Sequence, residues 1–217
     1  MSSPVETRLL DGAARLFYER GIAASGVDAI SAVSGVSKPT LYGHFGTKSA
    51  LVAMVLERQH QQRRASLEEH LAARSALAPA GRLLSVFDWI AAHQRGDWRR
   101  GCPFVNASVE LVRPADGTAR EAVRRHKRWF RGVLAGLAEE AEVADPVAMA
   151  SQLHLLIEGA NARMLAEGDA AAIGDARRAA GVLLAAASHR GGAYGHAQPG
   201  EVTGAHVPGS RRTRRGS

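Results

Sequence analysis

The stretch that decides the fold is GVSKPTLYGHFGTKSAL, which runs from Gly35 to Leu51. Ser37 can cap a helix, and Pro39 falls in the first turn, where the missing N–H of proline would have had no helical partner. Gly46 then interrupts the helical pattern. The stretch therefore predicts a short helix over about residues 38–44, followed by a new helix that Thr47 can cap.

Two predicted helices precede this one. Residues 5–20 carry apolar side chains at helical spacing and form the first. Ser25 is followed three residues later by Asp28, a capping-box pattern that predicts the start of the second. Gly35 ends the second helix by supplying a left-handed conformation. The inward positions are Leu9, Ala13, Leu16 and Phe17 in the first helix and Val27, Ile30 and Val33 in the second.

Two short helices joined by a glycine turn and preceded by a supporting helix form a helix-turn-helix, whose last helix enters the DNA major groove. On a helical wheel Leu41 and Phe45 face inward. An exposed glycine within a helix costs about 1 kcal/mol relative to alanine, so Gly43 indicates a face that a partner approaches closely. The alternative is that the aromatic residues of this segment are simply core, which we accept for Phe45. Pro39, Thr40 and Gly43 point outward, with Tyr42 on the flank.

The next helix begins with Thr47 and Lys48, where backbone N–H groups and a cation together favour a phosphate. The alternative for Lys48 is an ordinary solvated lysine. We expect this helix to span residues 48–74, with Leu51, Met54, Val55 and Leu56 inward and its heavily charged second half as an exposed connector.

The whole chain predicts an all-α protein of about nine helices. It has 217 residues, of which 46% are hydrophobic and 23% charged, and it shows no alternating β-branched run typical of a strand. Asp145 followed by Pro146 is a strong helix start. Beyond residue 74 we predict helices over about residues 79–95, 103–112, 119–142, 145–167 and 172–188.

Charge and cysteine content narrow the class of protein. A single cysteine, Cys102, excludes an intrachain disulfide framework. The chain lacks a signal pattern and a run of about 18 apolar residues, so we expect a cytosolic protein with no membrane partner. The net charge is +7, but residues 1–50 are nearly neutral and residues 190–217 carry five basic residues against one acidic residue. We expect that basic tail to be disordered, and to add sequence-independent DNA affinity only as the less favoured alternative.

The segment Val27-Asp28-Ala29-Ile30, the segment from Gly35 to Phe45 and the pair Thr47-Lys48 together resemble the DNA-binding domain of TetR/AcrR-type transcriptional regulators. The resemblance implies a DNA-binding domain over residues 1–48 and a ligand-binding and dimerising domain over 49–189. Such regulators are bacterial homodimers, mostly repressors that a small molecule releases from a palindromic site on double-stranded DNA. Gly26 departs from the family pattern, which usually has Ser or Thr there, and Ser49-Ala50 stand where an acidic residue is frequent.

The same resemblance assigns roles within the helix-turn-helix. Lys38, Thr40 and Gly43 would face bases, and Tyr42, His44 and Lys48 would contact phosphates. The predicted DNA-binding set is Lys38, Pro39, Thr40, Tyr42, Gly43, His44, Thr47 and Lys48.

The segment from Gly101 to Ala107, with Glu110 and the segment from His126 to Trp129, resembles the ligand-binding half of one TetR subgroup. We expect an apolar pocket with few polar groups, an unidentified small-molecule effector and no other cofactor. For each aromatic residue and for Cys102, the alternative is a core position. His154 and Glu158, with His126, could also ligate a metal. The favoured interpretation is that the two histidines are hydrogen-bonded core residues. The ligand-binding candidates are Phe87, Trp89, Cys102, Phe104, Asn106, Glu110, His126, Trp129, Phe130, His154 and Glu158.

The resemblance also places the dimer interface on the last two helices, where apolar stripes could pack as a four-helix bundle across a twofold axis. The alternative is that these stripes are intramolecular core. They comprise Leu153, Leu156, Ile157 and Ala160 on one helix and Val182, Leu183, Ala186 and Ala187 on the other.

Two other classes of protein, an enzyme and a small-molecule sensor without DNA binding, are the alternatives. An enzyme could use Cys102 as nucleophile and His126 as base, but the chain has no Gly-x-Ser-x-Gly elbow, phosphate-binding glycine loop or H-E-x-x-H pair. A small-molecule sensor that no longer binds DNA conflicts with the intact pattern from Lys38 to Phe45. We therefore expect a regulator and not an enzyme.

Overall fold

The structure of the protein, a computed structural model, describes residues 3–96, 100–112 and 116–188. Within these ranges the chain forms nine α-helices and no strand, which confirms the all-α prediction. The predicted basic tail, residues 190–217, lies outside the described residues. The helices are α1 Pro4–Arg20, α2 Val27–Ser34, α3 Lys38–Phe45, α4 Lys48–Ala72, α5 Pro79–Arg95, α6 Pro103–Glu110, α7 Gly117–Glu140, α8 Pro146–Glu167 and α9 Ala172–Ser188.

The N-termini of α3, α4 and α8 are capped by the predicted side chains. Ser37, Thr47 and Asp145 each accept a hydrogen bond from the backbone N–H three residues further on, at 3.4, 3.0 and 2.9 Å. Gly35 has φ 64° and ψ 27°, the left-handed conformation predicted for the end of α2. The cap at Ser37 and the left-handed Gly35 therefore determine where α3 begins and how the turn before it is formed.

The capping-box prediction at the start of α2 is wrong. Ser25 is buried, and its hydroxyl donates to the carbonyl of Gly21 at 2.6 Å, inside the turn that joins α1 to α2. Gly26 occupies the N-cap position and supplies no side-chain hydrogen bond. Because the turn needs the hydroxyl of Ser25 for its own carbonyl, this hydroxyl does not reach the first N–H groups of α2. Val33, predicted to face inward, is exposed.

The prediction of an exposed connector in the second half of α4 is also wrong. His60, Arg63 and Leu67 are all buried there. Their spacing of three and four residues places them on one face of the helix, and α4 packs against α7 and α5. Charged residues cover the other faces of the helix. The overall composition of this segment therefore did not indicate that one face is buried. Nearer the start of α4, Met54 is exposed instead of inward.

The predicted bounds of α6 and α7 shift by about two residues. α6 ends at Glu110 because Leu111 leaves the helical conformation, with φ −86° and ψ 68°. α7 ends at Glu140, ahead of Glu142, which has a positive φ of 55°.

Two apolar clusters form the interior. One joins α5, α7, α8 and α9 into a bundle, to which α4 contributes Leu67. The other joins α1 to α4 and also contains residues of α6 and of the start of α7, such as Phe104 and Val123. α6 therefore belongs to the same core as the DNA-binding helices, and it lies beside α1 and α4. No described helix has the length and apolar character needed to cross a membrane.

Candidate nucleic-acid interface and ligand cavity

The outward side of α3 is an exposed surface. Leu41 anchors the helix, since it is 0% exposed in the core beneath, and Phe45 is half-buried against the same cluster. The inward and outward sides of α3 are therefore as predicted, while its contacts with DNA stay a prediction. We call the outward side the recognition face, which consists of Lys38, Pro39, Thr40, Tyr42, Gly43 and His44, all exposed.

Gly43 lies on an open part of the recognition face. A Cβ placed on it would have no atom within 4 Å, so the packing of the protein does not require glycine there. Tyr42, beside it, is 47% exposed although tyrosine is a large aromatic residue. An open backbone next to an exposed ring fits a surface that another molecule approaches.

The two polar side chains expected to face bases have weak intramolecular partners. Lys38 forms an ion pair with Asp28 of α2, and both side chains are mostly solvent-exposed. Thr40 shares a 2.8 Å hydrogen bond with the hydroxyl of Ser37. An exposed ion pair contributes about 0–1 kcal/mol, so DNA can displace Asp28 at small cost.

Lys48 differs from the other predicted DNA-binding residues because it is half-buried. Its Nζ donates to the carbonyl of Ile22 at 2.5 Å, which ties α4 to the turn between α1 and α2. Thr47 is exposed and caps α4. A phosphate contact by Lys48 stays a prediction, and it would have to compete with Ile22.

Glu110 holds the same turn from the opposite side. Its Oε2 accepts a hydrogen bond from the backbone N–H of Ala23 at 2.8 Å. Both carboxylate oxygens lie 3.0 Å from the position of a Cβ on Gly21, which has φ 89°, so a larger residue would collide there. Glu110, expected to bind the ligand, thus lies at the junction of α6 with the DNA-binding helices.

The chain segment before α6 docks on the end of α1. The hydroxyl of Tyr18 donates to the carbonyl of Gly101 at 3.2 Å and accepts from the N–H of Arg100 at 2.7 Å. Asn106 donates from Nδ2 to the carbonyl of Arg100 at 2.9 Å. Asn106, another predicted ligand-binding residue, therefore fixes this segment and lies with Glu110 beside α1.

The bundle contains a cavity lined by residues of α4, α5, α7 and α8 and by Cys102 at the start of α6. Its volume is about 20 Å³, roughly enough for one water molecule. Several predicted ligand-binding residues line it, and so do others that the prediction missed. The lining residues are Arg63, Trp89, Ile90, Cys102, His126, Lys127, Phe130, Ile157, Glu158 and Asn161.

The remaining predicted residues surround this cavity without lining it. Phe87 and Phe104 are buried in the two apolar clusters, which is the core alternative for both. The Phe104 ring stacks on His126 with centroids 3.6 Å apart. Trp129 is half-buried, with its ring 5.4 Å from that of His126, and His154 lies 5.9 Å from the ring of Phe130.

Two cations meet at Cys102. Arg63 Nη1 lies 3.5 Å from Cys102 Sγ, and Lys127 Nζ lies 3.9 Å from it. Burial raises the pKa of the thiol. The positive charges of Lys127 and Arg63 together lower it by more, so the pKa lies below its ordinary value. The sulfur of Cys102, at the start of α6, therefore lies next to two positively charged side chains.

Glu158 balances one of these cations. Its carboxylate accepts two hydrogen bonds from Lys127, at 2.8 and 2.9 Å, and lies 3.4 Å from Nε2 of His154. Burial raises the pKa of Glu158, but hydrogen bonding to His154 and the charge of Lys127 outweigh it and lower the pKa to about 2. Glu158 is therefore ionised at neutral pH.

His126 is a buried neutral histidine. Burial, with Arg63 and Lys127 nearby, lowers its pKa to about 2. Its Nδ1 lies 3.2 Å from Nδ1 of His60, so one ring donates and the other accepts. In the ranges that the structure describes, no three His, Cys, Asp or Glu side chains form a group suited to a metal, so the metal alternative gains no support.

The side-chain hydrogen-bonding partners of Cys102 Sγ in the described part of the chain are Arg63 and Lys127, and no histidine is among them. His126 therefore does not act on the thiol as a base. The nucleophile and base of the rival enzyme hypothesis are not paired.

Sequence reasoning missed Arg63 and Lys127 as cavity residues. A signal for Arg63 was available, because it falls with His60 and Leu67 on one helical face of α4. Lys127 lies inside the segment from His126 to Trp129 that the resemblance had already marked.

An exposed recognition face on a helix-turn-helix, joined to a helical bundle with a small cavity, defines a DNA-binding regulator. The chain belongs to the TetR family. A family model described as bacterial regulatory proteins of the tetR family matches residues 9–55, and one described as a tetracyclin repressor-like C-terminal domain matches residues 79–180. This is a family of transcriptional regulators and not of enzymes, as predicted.

Solved structures are similar over nearly the whole described chain. A TetR-family transcriptional regulator from Streptomyces coelicolor is 32% identical, with a TM-score of 0.75 over 85% of this chain and 96% of that one. A TetR-type regulator from Streptomyces avermitilis is 28% identical, with a TM-score of 0.76 over 86% of this chain and 99% of that one.

Curated relatives match over shorter stretches. The HTH-type transcriptional repressor DhaR of a Mycobacterium species is 30% identical over 129 residues, 59% of this chain and 63% of that repressor. The HTH-type transcriptional activator FasR of Mycolicibacterium smegmatis is 47% identical over 51 residues, 24% of this chain and 23% of that activator. The chain thus matches less than two thirds of the length of these relatives.

Proposed function

We propose that this protein is a homodimeric repressor that binds a palindromic operator and leaves it when a small molecule occupies the bundle cavity. The recognition face carries the proposal, because Leu41 fixes α3 to the core while Tyr42 and Gly43 remain open to a partner. Repression is supported by the name of the relative DhaR.

The DNA test is selection of bound fragments from a random pool by the purified full-length protein. We expect enrichment of a palindrome with half-sites about one helical turn or more apart. Enrichment of no sequence at low salt would contradict the proposal. A reporter gene placed downstream of the selected site then distinguishes repression from activation. Activation is the alternative because the relative FasR is named as an activator.

The division of roles on α3 has its own test. Replacing Tyr42 with alanine should weaken binding about equally on all operator variants, because phosphate contacts carry no sequence information. Replacing Lys38 or Thr40 should also change base preference. Equal effects of all three replacements on every sequence would refute the assignment.

Dimerisation through α8 and α9 can use only some of the residues first predicted. Leu153, Ile157 and Ala160 are buried in the intramolecular core, which is the alternative stated above. Exposed apolar residues on the two helices are Leu155, 69% exposed, which was not in the predicted set, and Val182, 70% exposed, which was. Of the other predicted positions, Ala186 is exposed and Leu156, Leu183 and Ala187 are half-buried. A face with these apolar residues fits an isologous interface.

The dimer test uses a matched pair of substitutions. Leu155→Arg should convert a dimer to a monomer in sedimentation equilibrium, because it places a charge in the apolar interface. Val109→Arg, at an equally exposed valine on α6, is the control and should remain dimeric. The interface on α8 and α9 is refuted if Leu155→Arg also remains dimeric.

The effector part of the proposal rests on the cavity. Its present volume of about 20 Å³ is far below that of an occupied ligand site, so binding must move side chains or helices. Cys102, at the edge of the cavity, begins α6, and α6 holds the DNA-binding turn through Glu110. Movement at the cavity therefore has a short path to α1 and α2. Release of the selected operator by members of a chemical library tests this part.

A further inference from the structure

The cavity contains a buried arginine that the sequence did not reveal. Arg63 is 7% exposed, and its guanidinium lies 5.1 Å from the centroid of the Phe104 ring and 3.5 Å from Cys102 Sγ. Removal of a cation from water is costly unless a partner of opposite charge or a hydrogen-bond acceptor compensates. Arg63 therefore brings a buried positive charge to the wall of the cavity, and this charge bears on which ligands the cavity can bind.

The charges of the wall favour an anion near Cys102. Among the described lining residues, the fixed charges are two cations, Arg63 and Lys127, and one carboxylate, Glu158. Glu158 accepts two hydrogen bonds from Lys127, lies 3.4 Å from Nε2 of His154, and offsets part of the positive field at Cys102. The cationic ends of Arg63 and Lys127 converge on Cys102 Sγ, and this field lowers the pKa of the thiol despite burial. The same field favours any other negative group at that position.

Apolar side chains form another part of the wall. Trp89, Ile90, Phe130 and Ile157 line it, and all four are buried. A ligand that fills the cavity would thus contact both hydrocarbon and aromatic side chains and the two cations beside Cys102. Arg63 also lines an outer groove between α1 and α4, so movement of its long side chain would connect the cavity with the surface.

We infer that the effector is an organic acid with a small apolar body, whose negative group binds between Arg63 and Lys127 beside Cys102. Its apolar body would contact Trp89 and Phe130. Guanidinium binds carboxylate in a bidentate manner, and an apolar surface alone would not distinguish an acid from its amide. This inference rests on the proposed use of the cavity as the effector site.

The experiment compares three ligands of nearly the same shape with different charge: 4-phenylbutyrate, 4-phenylbutanamide and 4-phenylbutylamine. Their affinities for the full-length protein are measured by isothermal titration calorimetry at pH 7.5. We expect the acid to bind at least about tenfold more tightly than the amide, and the amine to bind most weakly. Equal affinity for acid and amide, or no binding of the acid at millimolar concentration, would overturn the inference.

Matched variants locate the effect. Arg63→Gln should remove the preference for the acid, whereas Arg64→Gln should keep it, because Arg64 is exposed and pairs with Glu68 away from the cavity. If Arg63→Gln fails to fold, Cys102→Asp supplies the second test. Its carboxylate would occupy the anion position itself and remove the preference, while Cys102→Ser should retain it. Retention of the preference in a folded Arg63→Gln or in Cys102→Asp would contradict the assignment.

Operator release in the same samples separates this inference from the proposed function. An acid that binds in an Arg63-dependent way without releasing the operator would contradict the effector role and leave the anion site standing. Release by the amide as readily as by the acid would support the effector role and overturn the anion site.

Discussion

The recognition face and the cavity are built in opposite ways. The recognition face comes from one short helix, its side chains are exposed, and a single buried residue, Leu41, holds it to the core. The cavity wall draws its residues from α4, α5, α7 and α8 and the start of α6, and it buries charge. A surface made by one helix is determined locally, whereas a wall made by several helices depends on how the whole bundle packs.

The largest expected effect separates the two sides of α3. Leu41→Ala should lower the free energy of unfolding by about 2–5 kcal/mol, because it leaves a cavity beneath the helix. Tyr42→Ala should change it by no more than about 0.5 kcal/mol, because this side chain is exposed. Both should bind the operator more weakly, Leu41→Ala through loss of structure and Tyr42→Ala with structure intact. Urea denaturation with a DNA shift assay measures both; a large loss of stability in Tyr42→Ala would show that its ring is structural.

The next effect tests the buried charges of the cavity through pH. The pKa of His126 is about 2 in the folded protein and about 6.5 in the unfolded chain, so the unfolded state binds the extra proton. Its contribution to stability is complete above pH 6.5 and is lost as pH falls from 6.5 toward 2, at about 1.4 kcal/mol per pH unit. Between pH 7.5 and 4.5 this amounts to about 2.7 kcal/mol.

The comparison is made by urea denaturation at pH 7.5, 6.5, 5.5 and 4.5. The variant His126→Gln should show a shallower decline over this range, since glutamine does not titrate. The low pKa of Glu158 gives stability that is lost only below about pH 4.5, outside this window. An unchanged slope in His126→Gln would mean that other groups, among them His60 and His70 with their pKa values lowered by burial, cause the decline.

The recognition face was predictable from the sequence to a greater extent than the cavity and its surroundings. The bounds of α3, its caps and its inward and outward sides follow from signals within ten residues, because capping and helical periodicity are local. The position of Glu110 was not predictable in this way. Its carboxylate meets Ala23, 87 positions away, and nothing near Glu110 in the sequence indicates that contact.

Arg63 shows the other limit of sequence reasoning. Its neighbours in the chain are polar or charged, so composition predicted an exposed connector. Arg63 is buried because α4 packs on α7 and because Cys102 and Phe104, at the start of α6, lie against its guanidinium. A charged residue on a buried helical face is recognisable only when the face is identified before the charge is considered.

A smaller effect tests the link between the two regions. Glu110→Ala removes the hydrogen bond to Ala23 and should lower the free energy of unfolding by about 1 kcal/mol, since the bond is charge-assisted but exposed. It should also reduce operator release by a bound effector, because α6 then holds the turn between α1 and α2 less firmly. Glu121→Ala is the control, an exposed glutamate paired with Arg124 and Arg128 on α7. Equal release by both variants would exclude Glu110 from the coupling.

The smallest expected effect, and the one with opposite signs, concerns Gly43. A Cβ at this position meets nothing within 4 Å, and alanine favours a helix over glycine by about 1 kcal/mol, so Gly43→Ala should raise the free energy of unfolding by up to that amount. If the recognition face lies against DNA, the added methyl group should lower operator affinity in the same protein. Denaturation and DNA titration on one preparation measure both. A gain in stability with unchanged affinity would mean that DNA does not approach the backbone at Gly43, and that the glycine is not required by the protein interior or by the operator.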